Sequence, residues 1–228
     1  MKKIASLTVL LALVAGSAFA AGVNLSWDNC GAAGQADKTQ SCAVANTATL
    51  VGSFVSTKAG DWTSTTNKVD IQIAGASMPA FWAVGSSTTT LGPRFTMSTS
   101  TAGIGSCASW MSEAPDNANS RSQNGNRIRL SIVPLLGAPG NTVAAGQEAV
   151  AFSVTVNNDA SDVTGCQTGG CFVFNECFVE DAFNGTDDRL TSAQARQHVT
   201  WQGGGGVPCP AATPVKKSTW GSIKAIYR

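Results

Sequence analysis

Alternation of apolar and polar residues constrains this chain more than any other feature. In "EAVAFSVTV", Val150, Phe152, Val154 and Val156 fall on one side of an extended chain, and in "NRIRLSIV" Ile128, Leu130 and Ile132 oppose Arg127, Arg129 and Ser131. Successive side chains of a strand point to opposite faces, so each segment reads as a strand with one buried face. Weaker runs of the same kind occur at "VNLSW" (23–27), "ATLVGSFVS" (48–56), "KVDIQIAG" (68–75) and "RFTMST" (94–99), each bounded by Gly, Pro, Asn or Ser. "CFVFNECFV" (171–179) is apolar on both faces and is expected as a central strand anchored by Phe172, Phe174 and Phe178. After residue 20 no segment holds a long helical period, although "SMPAFWAV" (77–84) and "TSAQARQHV" (191–199) each have room for a short helical turn. Strands joined by Gly-rich turns must cover their apolar faces, and two sheets packed face to face do this most simply. The expected fold is therefore all-β, an antiparallel β-sandwich of Ig-like or jelly-roll type, stapled by disulfides.

The first twenty residues read as a secretory signal peptide. Lys2 and Lys3 precede an apolar stretch from Ile4 to about Gly16, and Ala18 and Ala20 mark a cleavage point before Ala21. The stretch is shorter than the roughly 20 residues of a membrane helix, and no cysteine follows the cleavage point to take a lipid. Removing that segment takes the 15 lysines and arginines to 13, against 14 aspartates and glutamates. Such a balance creates no field that would attract nucleic acid or an anionic membrane, so neither is an expected partner. One domain is expected over 21–202. "QGGGGVPCPAATP" (202–214) reads as a Gly/Pro-rich linker, so that 203–228 leads to a C-terminal segment docking back on the sandwich.

All seven cysteines lie beyond the signal segment, where oxidising conditions favour disulfides. An odd number leaves at least one thiol unpaired. Short loops favour Cys30 with Cys42 and Cys166 with Cys171, the second pair across the turn sequence "QTGG"; Cys107 and Cys209 form the remaining pair, and Cys177, within an apolar run, is the free thiol. Six paired cysteines allow 15 connectivities, so this assignment is one of several. Zinc is disfavoured by spacings of four and five residues with a single distant histidine. No base or positive charge flanks Cys177 to activate it as a nucleophile.

Two further groups of residues are candidates for ligands. Glu180, Asp181, Asn184, Asp187 and Asp188 make an oxygen-rich loop of the kind calcium accepts, with Asp159 and Asp162 as further donors, although the spacing is not that of an EF-hand. No cofactor other than calcium is implied. Of the six tryptophans, Trp62, Trp82 and Trp110 lie in loop-like or Ser/Thr-rich sequence and are candidates for a flat glycan-binding platform; the bland alternative is core packing. His198 is the single histidine, and neither a G-x-S-x-G elbow nor an S-x-x-K motif accompanies it. No catalytic residue is assigned.

"GVNLSWDNCG", "AVAFSVTVNN" and "VTWQGGGG" with the closing "TWGSIKAIYR" resemble a family of exported bacterial proteins of uncharacterised function. The resemblance spans most of the mature chain and implies secretion and one β domain; it carries no site residues. In the closing segment, Trp220, Ile223 and Tyr227 lie among Lys216, Lys217, Lys224 and Arg228, either as an element covering one end of the sandwich or as a sorting signal. The sequence thus reads as a secreted, non-enzymatic β-sandwich acting at the cell surface or extracellularly, or held in the periplasm, in adhesion, matrix or assembly. Its partner would be a glycan or a protein. A carbohydrate-binding module is the alternative, and a secreted hydrolase using acids near Glu180 or His198 the second.

Overall fold

The computed structural model describes residues 21–84, 94–98, 104–105, 107–111, 116–207 and 209. Residues 1–20, with the expected signal peptide, and 210–228, with most of the segment expected to dock back on the sandwich, lie outside the described residues.

Among the described residues eleven strands form two sheets. In chain order they are β1 (Gly22–Trp27), β2 (Asp37–Lys38), β3 (Asn46–Val55), β4 (Ser64–Ile73), β5 (Phe95–Ser98), β6 (Asp116–Asn124), β7 (Arg127–Leu135), β8 (Glu148–Asn158), β9 (Gly170–Asp181), β10 (Thr186–Leu190) and β11 (His198–Trp201). One sheet has the order β1-β3-β8-β5; the other runs β2-β11-β9-β4-β7-β6, with β10 also pairing with β9. Every pairing between strands is antiparallel except β11 with β2. The chain is a two-sheet β-sandwich of the Ig-like or jelly-roll class. "TSAQARQHV" forms no helix: its last two residues open β11. Within 77–84 a single 3₁₀ turn forms at Ala80–Trp82.

The core follows from the alternation. Val69, Ile71 and Ile73 of β4, Ile128, Leu130 and Ile132 of β7 and Phe152 and Val154 of β8 are all buried between the sheets. Gly52 of β3 lies opposite Phe152, whose ring crosses it so closely that a Cβ there would fall 2.1 Å from the ring. Trp27, Trp82, Phe172 and Trp201 belong to one aromatic cluster: Trp82 meets Trp201 edge-on at 5.2 Å and Phe172 at 5.5 Å, and Trp27 meets Phe172 at 5.3 Å. Each such contact contributes about 0.5–1.5 kcal/mol beyond its area.

β9 departs from simple alternation. Its register with β4 shifts at Lys68/Val69, and one extra residue on β9 exchanges the two faces beyond it. Phe172 and Phe174 therefore point into the core, followed by Cys177 and Val179, whereas Phe178 is only half-buried and Glu176 lies on its side of the strand. The expectation that Phe178 anchors the strand with the other two fails for this reason.

The cysteine pairs differ from the sequence expectation. The bridges are Cys30–Cys107, Cys42–Cys166 and Cys171–Cys209, and Cys177 is a buried thiol. Cys30 packs against Val51, Ile104 and Val150 in a small cluster, whereas Cys42 belongs to the core between the sheets, so the two face different layers. Cys166 does not sit in a tight turn with Cys171. Residues Val163–Gln167 form a helical turn, α1, in which Asp162 accepts a hydrogen bond from the Gly165 N–H at 2.8 Å, and this turn carries Cys166 into the core beside Cys42. Cys171 is the second residue of β9 and faces away from Phe172, towards Cys209.

The glycine-rich stretch after β11 is packed rather than extended. Gln202 to Gly206 have φ between 50° and 77°, a left-handed turn open only to a glycine-rich sequence, and Gly205 lies so close to Gly169 that a Cβ on Gly169 would fall 2.3 Å from the Gly205 nitrogen. Three residues later, Cys209 is bonded to Cys171.

Candidate functional site

Chemistry concentrates on the outer face of the larger sheet, around the hairpin made by β6 and β7. From Asn117 to Gln147 the chain has no acidic residue, yet Arg121, Arg127 and Arg129 lie there. Alternation on β7 buries Ile128 and Leu130 and turns Arg127 and Arg129 outwards, across from Asn124 and Ser122 of β6. On the other side of β7 the register sets Asp70 of β4 opposite Arg129, with Gln72 opposite Arg127.

Asp70 is the pivot. Its side chain is 2% exposed, whereas those of Arg127 and Arg129 are 44% and 56% exposed. Arg129 donates from Nε to Oδ1 at 2.7 Å and from a terminal nitrogen to Oδ2 at 2.8 Å, and Arg127 donates to the same Oδ2. Burial pushes the Asp70 carboxyl up, but the hydrogen bonds from Arg129 and Arg127 outweigh it and hold the group below its ordinary value. The carboxylate thereby orients two guanidinium groups without neutralising both. Asp70, Ser122, Gln123, Asn124, Arg127 and Arg129 line an open cleft of about 300 Å³. Arg121 donates to Gln123 at 2.9 Å, and the register pairs these two residues with Leu130 and Ile128, on the side of the hairpin away from Arg127 and Arg129.

The charged pattern continues across the face. Glu176 of β9 accepts from Lys68 at 2.8 Å and from Arg189 of β10 at 2.6 Å. Burial raises its carboxyl, and these two hydrogen bonds lower it further than burial raises it. Four cations, Arg127, Arg129, Lys68 and Arg189, thus share two carboxylates on a face spanning β7, β4, β9 and β10.

The residues singled out in the sequence lie elsewhere. Trp62, Trp82 and Trp110 are at most 1% exposed, so none offers a ring to a glycan. Trp82 donates its indole N–H to the Gly165 carbonyl at 2.9 Å and Trp110 to that of Val150 at 2.6 Å, which satisfies the polar end of each buried ring. The glycan platform expected at these three residues is thus corrected to core packing.

The acidic residues after β9 do not gather around a common point. Asp181 is 1% exposed and accepts from the Phe183 N–H, the Asn184 N–H and the Asn184 amide within its own turn. Glu180 accepts from Ser64, Asp188 from Ser56, and the Asp187 carbonyl from Lys58. Asp159 pairs with Arg94 and Asp162 caps α1. Among the described residues no group of three His, Cys, Asp or Glu side chains is placed to hold a metal ion, and the loop expected to take calcium has protein hydrogen-bond donors on its carboxylates. Neighbouring donors that sequence spacing does not reveal have taken up its oxygens.

His198 is exposed at the start of β11, and among the described residues no hydroxyl, thiol or carboxylate hydrogen-bonds to it. Burial pushes the Cys177 thiol well above its ordinary value, and the charges of Asp188 and Glu176 act in the same direction. It is suited to packing rather than nucleophilic attack. No described helix is long and apolar enough to cross a membrane.

The signal for the cleft was present in the outward-facing arginines of "NRIRLSIV". What linked them to Asp70, some sixty residues earlier, is the register between β4 and β7.

No family model and no curated protein matches the chain. Among solved structures it is similar to the sixth cohesin of scaffoldin B from Acetivibrio cellulolyticus, solved in complex with a Cel5 dockerin mutant, at 11% identity and a TM-score of 0.31, over 79% of this chain and 97% of that one.

Proposed function

We propose that this chain is a secreted, non-enzymatic β-sandwich that acts at the cell surface or outside the cell as an adhesion, matrix or assembly component, and that it docks its partner on the outer face of the β6–β7 hairpin. The observation carrying this reading is the pair of half-exposed guanidinium groups held by buried Asp70 at the mouth of an open cleft. Arginines oriented by an internal carboxylate keep their geometry when free, which lowers the ordering cost of binding. Three disulfides, one joining residues 124 apart, support a working place outside the reducing cytoplasm. They also support a rigid body that presents a surface rather than a site that closes.

Purified mature protein is incubated with cells and cell-surface material of its source, and retention is compared between wild type and Arg127→Gln. Retention by wild type, with a loss of about tenfold or more in the variant at unchanged melting temperature, is the expected result. A monomeric wild type that is retained nowhere, or a variant retained as well as wild type, refutes the proposal.

A further inference from the structure

We infer that the cleft between β6 and β7 binds the carboxylate-bearing sugar of an acidic polysaccharide, its carboxylate on Arg127 and Arg129 and its hydroxyls on Ser122 and Asn124. The inference rests on the docking face proposed above and names its ligand.

Three observations carry it. First, the charge is local: the mature chain has slightly more acids than bases, but from Asn117 to Gln147 there is no acid, and among the described residues Asp70 is the one carboxylate lining the cleft. That carboxylate is already covered by the two guanidinium groups and is buried, so the surface shown to solvent is cationic. Arg129 engages Asp70 through Nε and one terminal nitrogen, which leaves its second terminal nitrogen for an incoming anion, and Arg127 engages it through one terminal nitrogen. A guanidinium presents its donors in a planar fork that matches a carboxylate.

Second, the side chains that share this face with the arginines are the Ser122 hydroxyl and the Asn124 amide. Side chains of this kind both donate and accept, as vicinal sugar hydroxyls require. No aromatic or large aliphatic residue lines the cleft to anchor a protein side chain, and protein interfaces depend on such anchors. An acidic peptide would find charge here but no pocket for its apolar residues. A neutral sugar would find hydroxyl partners but no ring to stack on, since Trp62, Trp82 and Trp110 are in the core.

Third, the cleft opens onto an extended face. Lys68 and Arg189 flank Glu176 two strands away on the same sheet, so charge continues from the cleft across β4, β9 and β10. A polymer with one carboxylate per sugar can follow that face beyond the sugar seated in the cleft, and its binding weakens as salt rises.

The test titrates folded mature protein with an oligogalacturonate, with its carboxyl-reduced neutral counterpart and with poly-glutamate of matched length, at low and at physiological salt. The oligogalacturonate is expected to bind at least tenfold more tightly than either control. Arg127→Gln should lose roughly tenfold, the worth of one charge-assisted hydrogen bond. Asn124→Ala, which does not touch Asp70, should lose several-fold with no change in melting temperature, so the inference stays testable even where an arginine variant loses stability. Poly-glutamate binding as tightly as the oligogalacturonate overturns the sugar assignment in favour of an acidic protein partner. No binding of the oligogalacturonate by protein that is still retained on cells through Arg127 overturns the ligand and leaves the docking face standing. Cell retention unaffected by Arg127→Gln overturns both.

Discussion

Replacing Cys42 and Cys166 together by alanine removes the bridge that ties the loop before β3 to α1. The size of the effect follows from the way the bridges interleave. From Cys42 back to Cys30, across to Cys107 and on to Cys166 is a path of about 71 residues, shorter than the 124 that separate the pair along the chain. Closing a loop of that effective length removes denatured-state entropy worth about 4.4 kcal/mol at 25 °C. Both sulfurs are buried, at 3% and 0% exposure, so alanine also gives up their packing, a loss in the same direction. A local Cys166–Cys171 bridge, as short spacing alone favours, would contribute only about 2 kcal/mol. Guanidinium unfolding followed by tryptophan fluorescence measures the difference, because Trp82 and Trp201 pack beside this bridge and hydrogen-bond to Gly165 and Cys166. The expected loss of about 4.4 kcal/mol corresponds to a fall in melting temperature of about 9–18 °C for a chain of this size. A loss below about 2 kcal/mol, or a non-reducing peptide map joining Cys166 to Cys171, refutes the reasoning.

Two further outcomes are expected. Trp62 and Trp201 are both fully buried, but among the described residues the Trp62 indole N–H has no hydrogen-bond partner, while that of Trp201 donates to the Cys166 carbonyl at 2.7 Å. Trp201→Phe should therefore cost about 1–3 kcal/mol more than Trp62→Phe in chemical denaturation, and equal costs would show that the hydrogen bond contributes nothing. The carboxyls of Asp70, Glu176 and Asp181 all lie below their ordinary values in the folded protein. Their contribution is present above the unfolded carboxylate range and is lost as pH falls through the lower folded values, so melting temperature should drop below about pH 4. Asp70→Asn should be less stable at pH 7 and have a shallower acid slope; parallel slopes would remove Asp70 from that account.

The strands that read most clearly in the sequence are those whose burial is one-sided. β7 and β8 announce themselves by alternation because one face of each meets the core. β6, "DNANSRSQN", carries no large apolar residue, and most of its side chains are exposed. It is a strand only because β7 offers it a hydrogen-bonding edge, which composition cannot show. β10, "TDDRL", is similar: it exists through its pairing with β9, and that pairing spreads the acids of the expected calcium loop over two strands. The arginines of the cleft were visible as outward-facing residues, but their partner was not.

What the sequence by itself determined is the class of fold: period-two alternation allows little but strands, and seven cysteines beyond a signal-like segment imply bridges. Tertiary structure decided which cysteines meet, which tryptophans are covered, and which carboxylate joins the arginines. The physical reason is that alternation is a local property, set by the geometry of one strand. Pairing between Cys42 and Cys166, or between Asp70 and Arg129, depends on register, on one extra residue in β9 and on which layer a loop enters, and these are fixed only when the two sheets close on each other.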